Sequence, residues 1–123
     1  MEKKKILLVE DDPFISEMYT TKFEHTGFDV EVAMTGKEGA MKAKEWQPDI
    51  LLLDILIPEM DGFEVLSHVK KDPATSRIPV VMLTNLGQKE DIERGSALGA
   101  VAYIVKAHFT PQEVVDKVKA ILG

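Results

Sequence analysis

Short apolar runs alternate with longer stretches of helical periodicity along the whole chain. The runs are Ile6 to Val9, Val30 to Ala33, Ile50 to Leu53, Val80 to Leu83 and Ala102 to Val105. Their length and composition predict five strands. Three of them are almost wholly apolar, which suits parallel strands buried on both faces. The intervening segments carry explicit helix signals. Asp12 followed by Pro13 is an N-cap with proline at the first helical position. Thr35 with Glu38, and Thr110 with Glu113, fit the reciprocal capping box; Pro111 strengthens the second, and Asp61 with Glu64 is a looser version. Gly27 and Gly99 stand where a helix would end in a left-handed residue. Val114, Val115, Val118, Ile121 and Leu122 form a helical apolar stripe before Gly123. Five βα units at this spacing predict an α/β fold: a parallel sheet with helices on both faces and right-handed crossovers. No repeat, low-complexity tract or linker divides the chain, so residues 1–123 are expected to form one domain.

Composition narrows the function classes. The chain has 123 residues, 45% of them hydrophobic, enough for one core without staples. It has no cysteine, which excludes disulfides, iron–sulfur clusters and thiolate zinc sites. The formal net charge is −6, and Arg77 and Arg94 are the only arginines. A basic face is the usual footprint of nucleic-acid binding, so no direct nucleic-acid contact is expected. Lys3 to Lys5 read as a solvated approach to the first strand. No apolar run approaches a membrane span and no signal-peptide core follows Met1, so the expected location is cytoplasmic, with no membrane contact.

Ligands of open α/β sheets bind beyond the carboxyl ends of the strands. Those positions hold Glu10, Asp11 and Asp12, then Asp54, then Thr84 and Asn85, then Lys106. Carboxylates gathered there repel: two unit charges about 4 Å apart cost roughly 4 kcal/mol at an effective dielectric of about 20. A hard dication relieves this, and oxygen donors select Mg2+ or a similar ion. Lys106 would add a fixed positive charge, and Thr84 a donor for a phosphoryl oxygen. Carboxylates attack phosphorus to give acyl phosphates. Taken singly, a strand-end Asp is most often a cap or turn residue; Asp12 before Pro13 and Asp61 before Gly62 fit that role. Convergence of Glu10, Asp11, Asp54, Thr84 and Lys106 from four strand ends is a different matter, because this is where such folds place their sites.

The segments ILLVEDDP, LLLDILIPEMDG, VVMLTN and YIVK resemble, in order and spacing, the CheY-like receiver domains of two-component response regulators. The resemblance spans essentially the whole chain and implies a flavodoxin-like, doubly wound five-stranded sheet of order 2-1-3-4-5 with five helices. It implies a phosphorylation switch with no separate substrate. Asp54 would accept a phosphoryl group from a sensor histidine kinase or phosphotransfer protein, with Mg2+ (or Mn2+) required. Asp11, Asp54 and the main-chain carbonyl of Leu56 would hold the metal, and Glu10 would reach it through water. Thr84 would be the switch hydroxyl, Lys106 its ion-pair partner and Tyr103 the aromatic switch. The output would be read by a target protein on the face of helix 4, strand 5 and helix 5.

Two departures from the family pattern stand out. Ala107 replaces the usual proline after the lysine, and His108 is an extra residue before Phe109. A cis bond before a non-proline residue costs about 2.5–4 kcal/mol, so a trans Lys106–Ala107 bond is expected, with His108 exposed at the rim. Leu56 and Leu86 lie two residues beyond Asp54 and Thr84, flanking the path of an attacking water without a hydrogen bond to offer it. Other readings fare less well. A haloacid-dehalogenase-type phosphatase wants a second Asp where Leu56 stands. A flavodoxin-like electron carrier would not put Glu10, Asp11 and Asp12 against a flavin phosphate. A degenerate receiver would not keep the full acidic and basic set. His25, His68 and His108 show no metal-ligand spacing, and Trp46 falls at the end of the second helix, away from the strand ends.

Overall fold

The computed structural model describes residues 2–123. Five strands, β1 (Lys5–Val9), β2 (Asp29–Ala33), β3 (Ile50–Leu53), β4 (Val80–Thr84) and β5 (Ala102–Val105), alternate with helices α1 (Pro13–His25), α2 (Gly36–Trp46), α3 (Gly62–Lys71), α4 (Lys89–Ala97) and α5 (Pro111–Leu122). A short 3-10 turn, Lys106–His108, joins β5 to α5. All pairings are parallel and the strand order is 2-1-3-4-5, as the resemblance implied.

Side chains alternate across a strand, and here the alternation divides the core in two. Ile6, Leu8, Ile50, Leu52, Val81, Leu83 and Ile104 point to the face covered by α1 (Tyr19, Phe23) and α5 (Val114, Val115, Val118). Leu7, Val9, Leu51, Leu53, Val80 and Met82 point to the face covered by α2 (Ala43) and α3 (Phe63, Leu66, Val69), with Leu98 beyond the end of α4 packed against them. β1, β3 and β4 are buried on both faces apart from the half-buried Lys5, which accounts for their almost wholly apolar sequences.

The caps form where expected, with one correction. Asp12 accepts from the amides of Phe14 (2.9 Å) and Ile15 (3.2 Å), and Asp61 from that of Glu64 (3.0 Å). Thr110 and Glu113 make the full reciprocal box. At Thr35 only half of it exists: the hydroxyl accepts from the Glu38 amide (3.1 Å), while the Glu38 carboxylate turns to Lys42 one turn on (3.7 Å). Gly27 and Gly99 adopt positive φ, 96° and 105°. Gln47 ends α2 in the same left-handed region (φ 54°) without being glycine. Its side chain is tied down instead, its amide donating to the carbonyls of Lys44 and Ala74 (3.0 Å each).

One close approach holds the β3–α3 connection against the strand end. The Gly62 amide donates to the Ile55 carbonyl (2.9 Å), and a Cβ on Gly62 would fall 2.4 Å from the Asp54 carbonyl oxygen and 2.6 Å from the Ile55 Cα. Both neighbours are backbone and cannot swing aside. Gly62→Ala is therefore expected to destabilise the fold by about 1–3 kcal/mol, outweighing any gain in helix propensity. Urea denaturation checks this; a midpoint at or above that of the parent would show that the loop has room.

Candidate functional site

Strand parity decides which strand-end residues meet. Glu10, Asp54 and Lys106 each lie one step beyond a strand, in phase with Leu8, Leu52 and Ile104, on the side covered by α1 and α5. The Lys106 ammonium donates to Glu10 Oε1 and, at 2.9 Å, to Asp54 Oδ2. Both carboxylates are buried, Glu10 2% and Asp54 8% exposed. The other Asp54 oxygen accepts from the Ile55 amide at 2.7 Å and more weakly from that of Leu56 at 3.4 Å. Glu10 Oε2 accepts from the Asp12 amide (3.2 Å). Each buried carboxylate oxygen therefore has a donor, as groups removed from water require.

Asp11 differs. It is exposed, and among the described residues its carboxylate makes no hydrogen bond or ion pair. Its oxygen nevertheless lies within 4.8 Å of those of Glu10 and Asp54. One ammonium against three carboxylates leaves two formal negative charges on oxygen donors alone, a set that fits a hard divalent cation. The strain shows in the titration of Glu10: burial pushes its pKa up, although Lys106 and the Asp12 amide pull the other way. Burial alone would lower the Lys106 pKa, but its bonds to Glu10 and Asp54 more than reverse that and raise it.

Thr84 and Tyr103 have the opposite parity, on the α4 side of the sheet. Thr84 is fully buried at the end of β4, where its hydroxyl accepts weakly from the Leu86 amide (3.4 Å). Tyr103, paired with Met82 across the β4–β5 ladder, is half-buried and donates its hydroxyl to the Leu86 carbonyl. A Cβ on Gly95 of α4 would sit 3.2 Å from the Tyr103 ring, so the glycine makes room for it. One peptide unit, that of Leu86, thus touches both side chains. Leu56 is 63% exposed. The Lys106–Ala107 bond is trans, as expected, and His108 is exposed. The Ala107 amide donates to Asn85 Oδ1 (3.1 Å), a bond that proline could not make. Trp46 lies at the far end of the sheet, its carbonyl accepting from Lys5.

With this geometry in hand, similarity to known proteins is decisive. Residues 6–119 match the family model of the response regulator receiver domain. The chain belongs to that family. It is 40% identical over 96% of its length to the "DNA-binding dual master transcriptional regulator RpaA" of Synechocystis sp., of which it covers 48%. It is 39% identical over 97% of its length to the "phosphate regulon transcriptional regulatory protein PhoB" of Escherichia coli, of which it covers 52%. The chain thus spans about half the length of the curated relatives it matches. A solved "putative response regulator from Chloroflexus aurantiacus" superposes with a TM-score of 0.91 at 34% identity, covering 98% of both chains. Among the described residues of this receiver domain, no helix is long and apolar enough to cross a membrane.

Sequence reasoning selected Glu10, Asp11, Asp54, Thr84 and Lys106, and the structure gathers them at one edge of the sheet. It named Asn85 and Leu86 but not their contacts: Asn85 clamps the turn after Lys106, and the Leu86 peptide joins Thr84 to Tyr103; neither contact has a sequence signal, because both depend on loop geometry. It did not single out Tyr19, although Ile15, Tyr19 and Phe23 repeat at helical spacing and place a phenol on the core face of α1.

The chain has two tyrosines, and burial raises the pKa of both, that of Tyr103 to about 12 from 10.0 with help from Asp91 and Asp54. The folded state holds each phenolic proton more tightly than the unfolded chain does. Each therefore contributes stability that is complete below about pH 10 and, for Tyr103, lost as pH rises toward about 12. In Tyr19→Phe, tyrosinate absorbance in the near ultraviolet should develop with a midpoint near 12. A midpoint at the ordinary tyrosine value would place the Tyr103 hydroxyl in solvent.

Proposed function

We propose that this domain is a phosphorylation switch in which Asp54 accepts a phosphoryl group from a sensor histidine kinase or phosphotransfer protein. The carrying observation is the Lys106 ammonium shared by Glu10 and Asp54 with the unpaired Asp11 carboxylate beside them. An Asp54 oxygen attacks phosphorus, the bond to the donor's nitrogen or oxygen breaks, and an aspartyl phosphate forms. The Ile55 amide fixes Oδ1 and so presents Oδ2 toward Lys106. Lys106 then neutralises charge on a transferred oxygen, and Thr84 turns its hydroxyl to another. Asp11, Asp54 and the Leu56 carbonyl, with Glu10 through water, would hold Mg2+ or Mn2+, which supplies neutralisation of the phosphoryl oxygens during transfer. No separate substrate is turned over.

Exposed apolar side chains on α1, Phe14 (85%) and Met18 (43%), support a protein as the phosphodonor, docking beside the site. The output face would be α4, β5 and α5, where Tyr103 meets Gly95. A net charge of −6 favours protein over nucleic acid as the direct partner of this domain, and the setting proposed with a histidine kinase as donor is the cytoplasm.

Acetyl phosphate with Mg2+ should label Asp54 and nothing else. Intact-protein mass spectrometry should show one added phosphoryl group on the parent and only background on Asp54→Asn or on Asp11→Ala. Full labelling of Asp54→Asn would sink the assignment, and rescue of Asp11→Ala by excess Mg2+ would remove Asp11 as a direct ligand.

The aspartyl phosphate should also be long-lived, because Leu56 and Leu86 offer the attacking water no side-chain hydrogen bond. Leu56→Asn should hasten decay about fivefold, the rate equivalent of one hydrogen bond of about 1 kcal/mol. Decay after donor removal measures this, and an unchanged rate would show that Leu56 has no part in it.

A further inference from the structure

Tyr19 is 3% exposed on the core face of α1, yet among the described residues its hydroxyl makes no hydrogen bond to protein. It is not sealed in either: among the described residues, the one fully enclosed side-chain polar atom without a partner is the Thr20 hydroxyl. Tyr19 instead lines an open crevice of about 260 Å³ walled by Ile15, Asn85, Lys106, Phe109 and Pro111, which meets the site through the Lys106 that bonds Asp54. Burial raises the pKa of the phenol, the Lys106 charge pulls it down, and Glu10 and Asp54 push it up, so all three charged groups act on it. Three residues with spare polar capacity therefore line one small, open groove. Lys106 has three ammonium hydrogens and spends two on Glu10 and Asp54. Asn85 spends its oxygen on the Ala107 amide and keeps its amino group free. Tyr19 has a donor and an acceptor unused.

We propose that Tyr19 is a positioning residue for Lys106, acting through a water bound in this crevice. The space is large enough for a water, and three polar neighbours meet the requirement of two to four partners. Bound there, the water accepts from the third ammonium hydrogen and donates to the phenol oxygen, and Asn85 orients it. The ammonium is then fixed on three sides, and its aim at the transferred oxygen no longer depends on the two carboxylates alone. That matters in this domain because the lysine is followed by alanine, so no proline ring stiffens the turn.

The rate arm of the test rests on the proposed role of Asp54; the spectroscopic arm does not. Tyr19→Phe keeps the ring in the core and removes only the unpaired hydroxyl, so its thermal melt should match the parent. Its labelling by acetyl phosphate should be slower by roughly three- to tenfold, the equivalent of one hydrogen bond. The Lys106 side-chain 15N ammonium resonance should shift and exchange faster with solvent, while that of Lys70, held by the Ser76 and Ile78 carbonyls, stays in place as the internal standard. A structural role for the phenol would not move the Lys106 resonance alone. Retention of the parent rate, an unmoved Lys106 resonance, or loss of the fold in Tyr19→Phe would each overturn the proposal. Failure of the parent itself to be labelled would count against Asp54 as acceptor and leave the resonance to decide the role of Tyr19.

Discussion

Lys106 holds two buried carboxylates that could not otherwise share a site. Glu10 and Asp54 come from neighbouring strands and are both shielded from water, and ionised carboxylates in that position need a counter-charge or must take up protons. Removing one partner from a buried ion pair typically costs about 3–5 kcal/mol, because the remaining charge is left uncompensated. With a stability of about 5–15 kcal/mol for a domain of this size, the ammonium is structural as well as chemical. It also sets the electrostatics at the rim. After Lys106 is shared, Asp11 remains unpaired among the described residues at the mouth, so the site presents negative charge outward on oxygen donors that fit a dication.

The aim of that lysine comes from the loop behind it. The Phe109 amide closes the 3-10 turn onto the Lys106 carbonyl at 3.3 Å, and the Ala107 amide ties the turn to Asn85 at the end of β4. The second bond exists because residue 107 has an N–H. The departure from proline is thus matched by a partner on the adjacent strand end, and His108 gives the length needed to bring the chain to the Thr110 cap with every peptide in trans.

Most of the fold was legible because buried parallel strands and capped helices write themselves into local sequence. The Thr110–Glu113 box and the Asp12–Pro13 start are contacts within a single turn. The gathering of the strand-end residues was legible for a related reason: a parallel sheet brings all carboxyl ends to one edge whatever the details of packing. What escaped the sequence depends on contacts between distant loops. Nothing near Gln47 announces a left-handed residue, because the Ala74 carbonyl that holds it belongs to another connection. Glu38 chose Lys42 over its own cap, a competition between two weak surface bonds that no pattern decides. The Leu86 peptide carries no side-chain signature at all.

In the proposed switch, that peptide would limit how far phosphorylation alone could move Thr84 and Tyr103. Thr84 would give up a long bond to the Leu86 amide and gain a charge-assisted one to the phosphoryl group. The second is worth about 1.5–3 kcal/mol and the first about 1 or less. Tyr103 would give up the Leu86 carbonyl and bury more of a ring that is already half-buried, so lost hydrogen bonding offsets much of the apolar gain. Lys106 adds little to the difference, since it can touch the phosphoryl group whichever way Thr84 and Tyr103 point. The net bias is a few kcal/mol, short of the roughly 5.5 kcal/mol needed to carry a two-state equilibrium from 1:99 to 99:1. On the proposed function, a phosphorylated domain with these contacts would stay a mixture until a target bound the favoured arrangement and contributed the remainder.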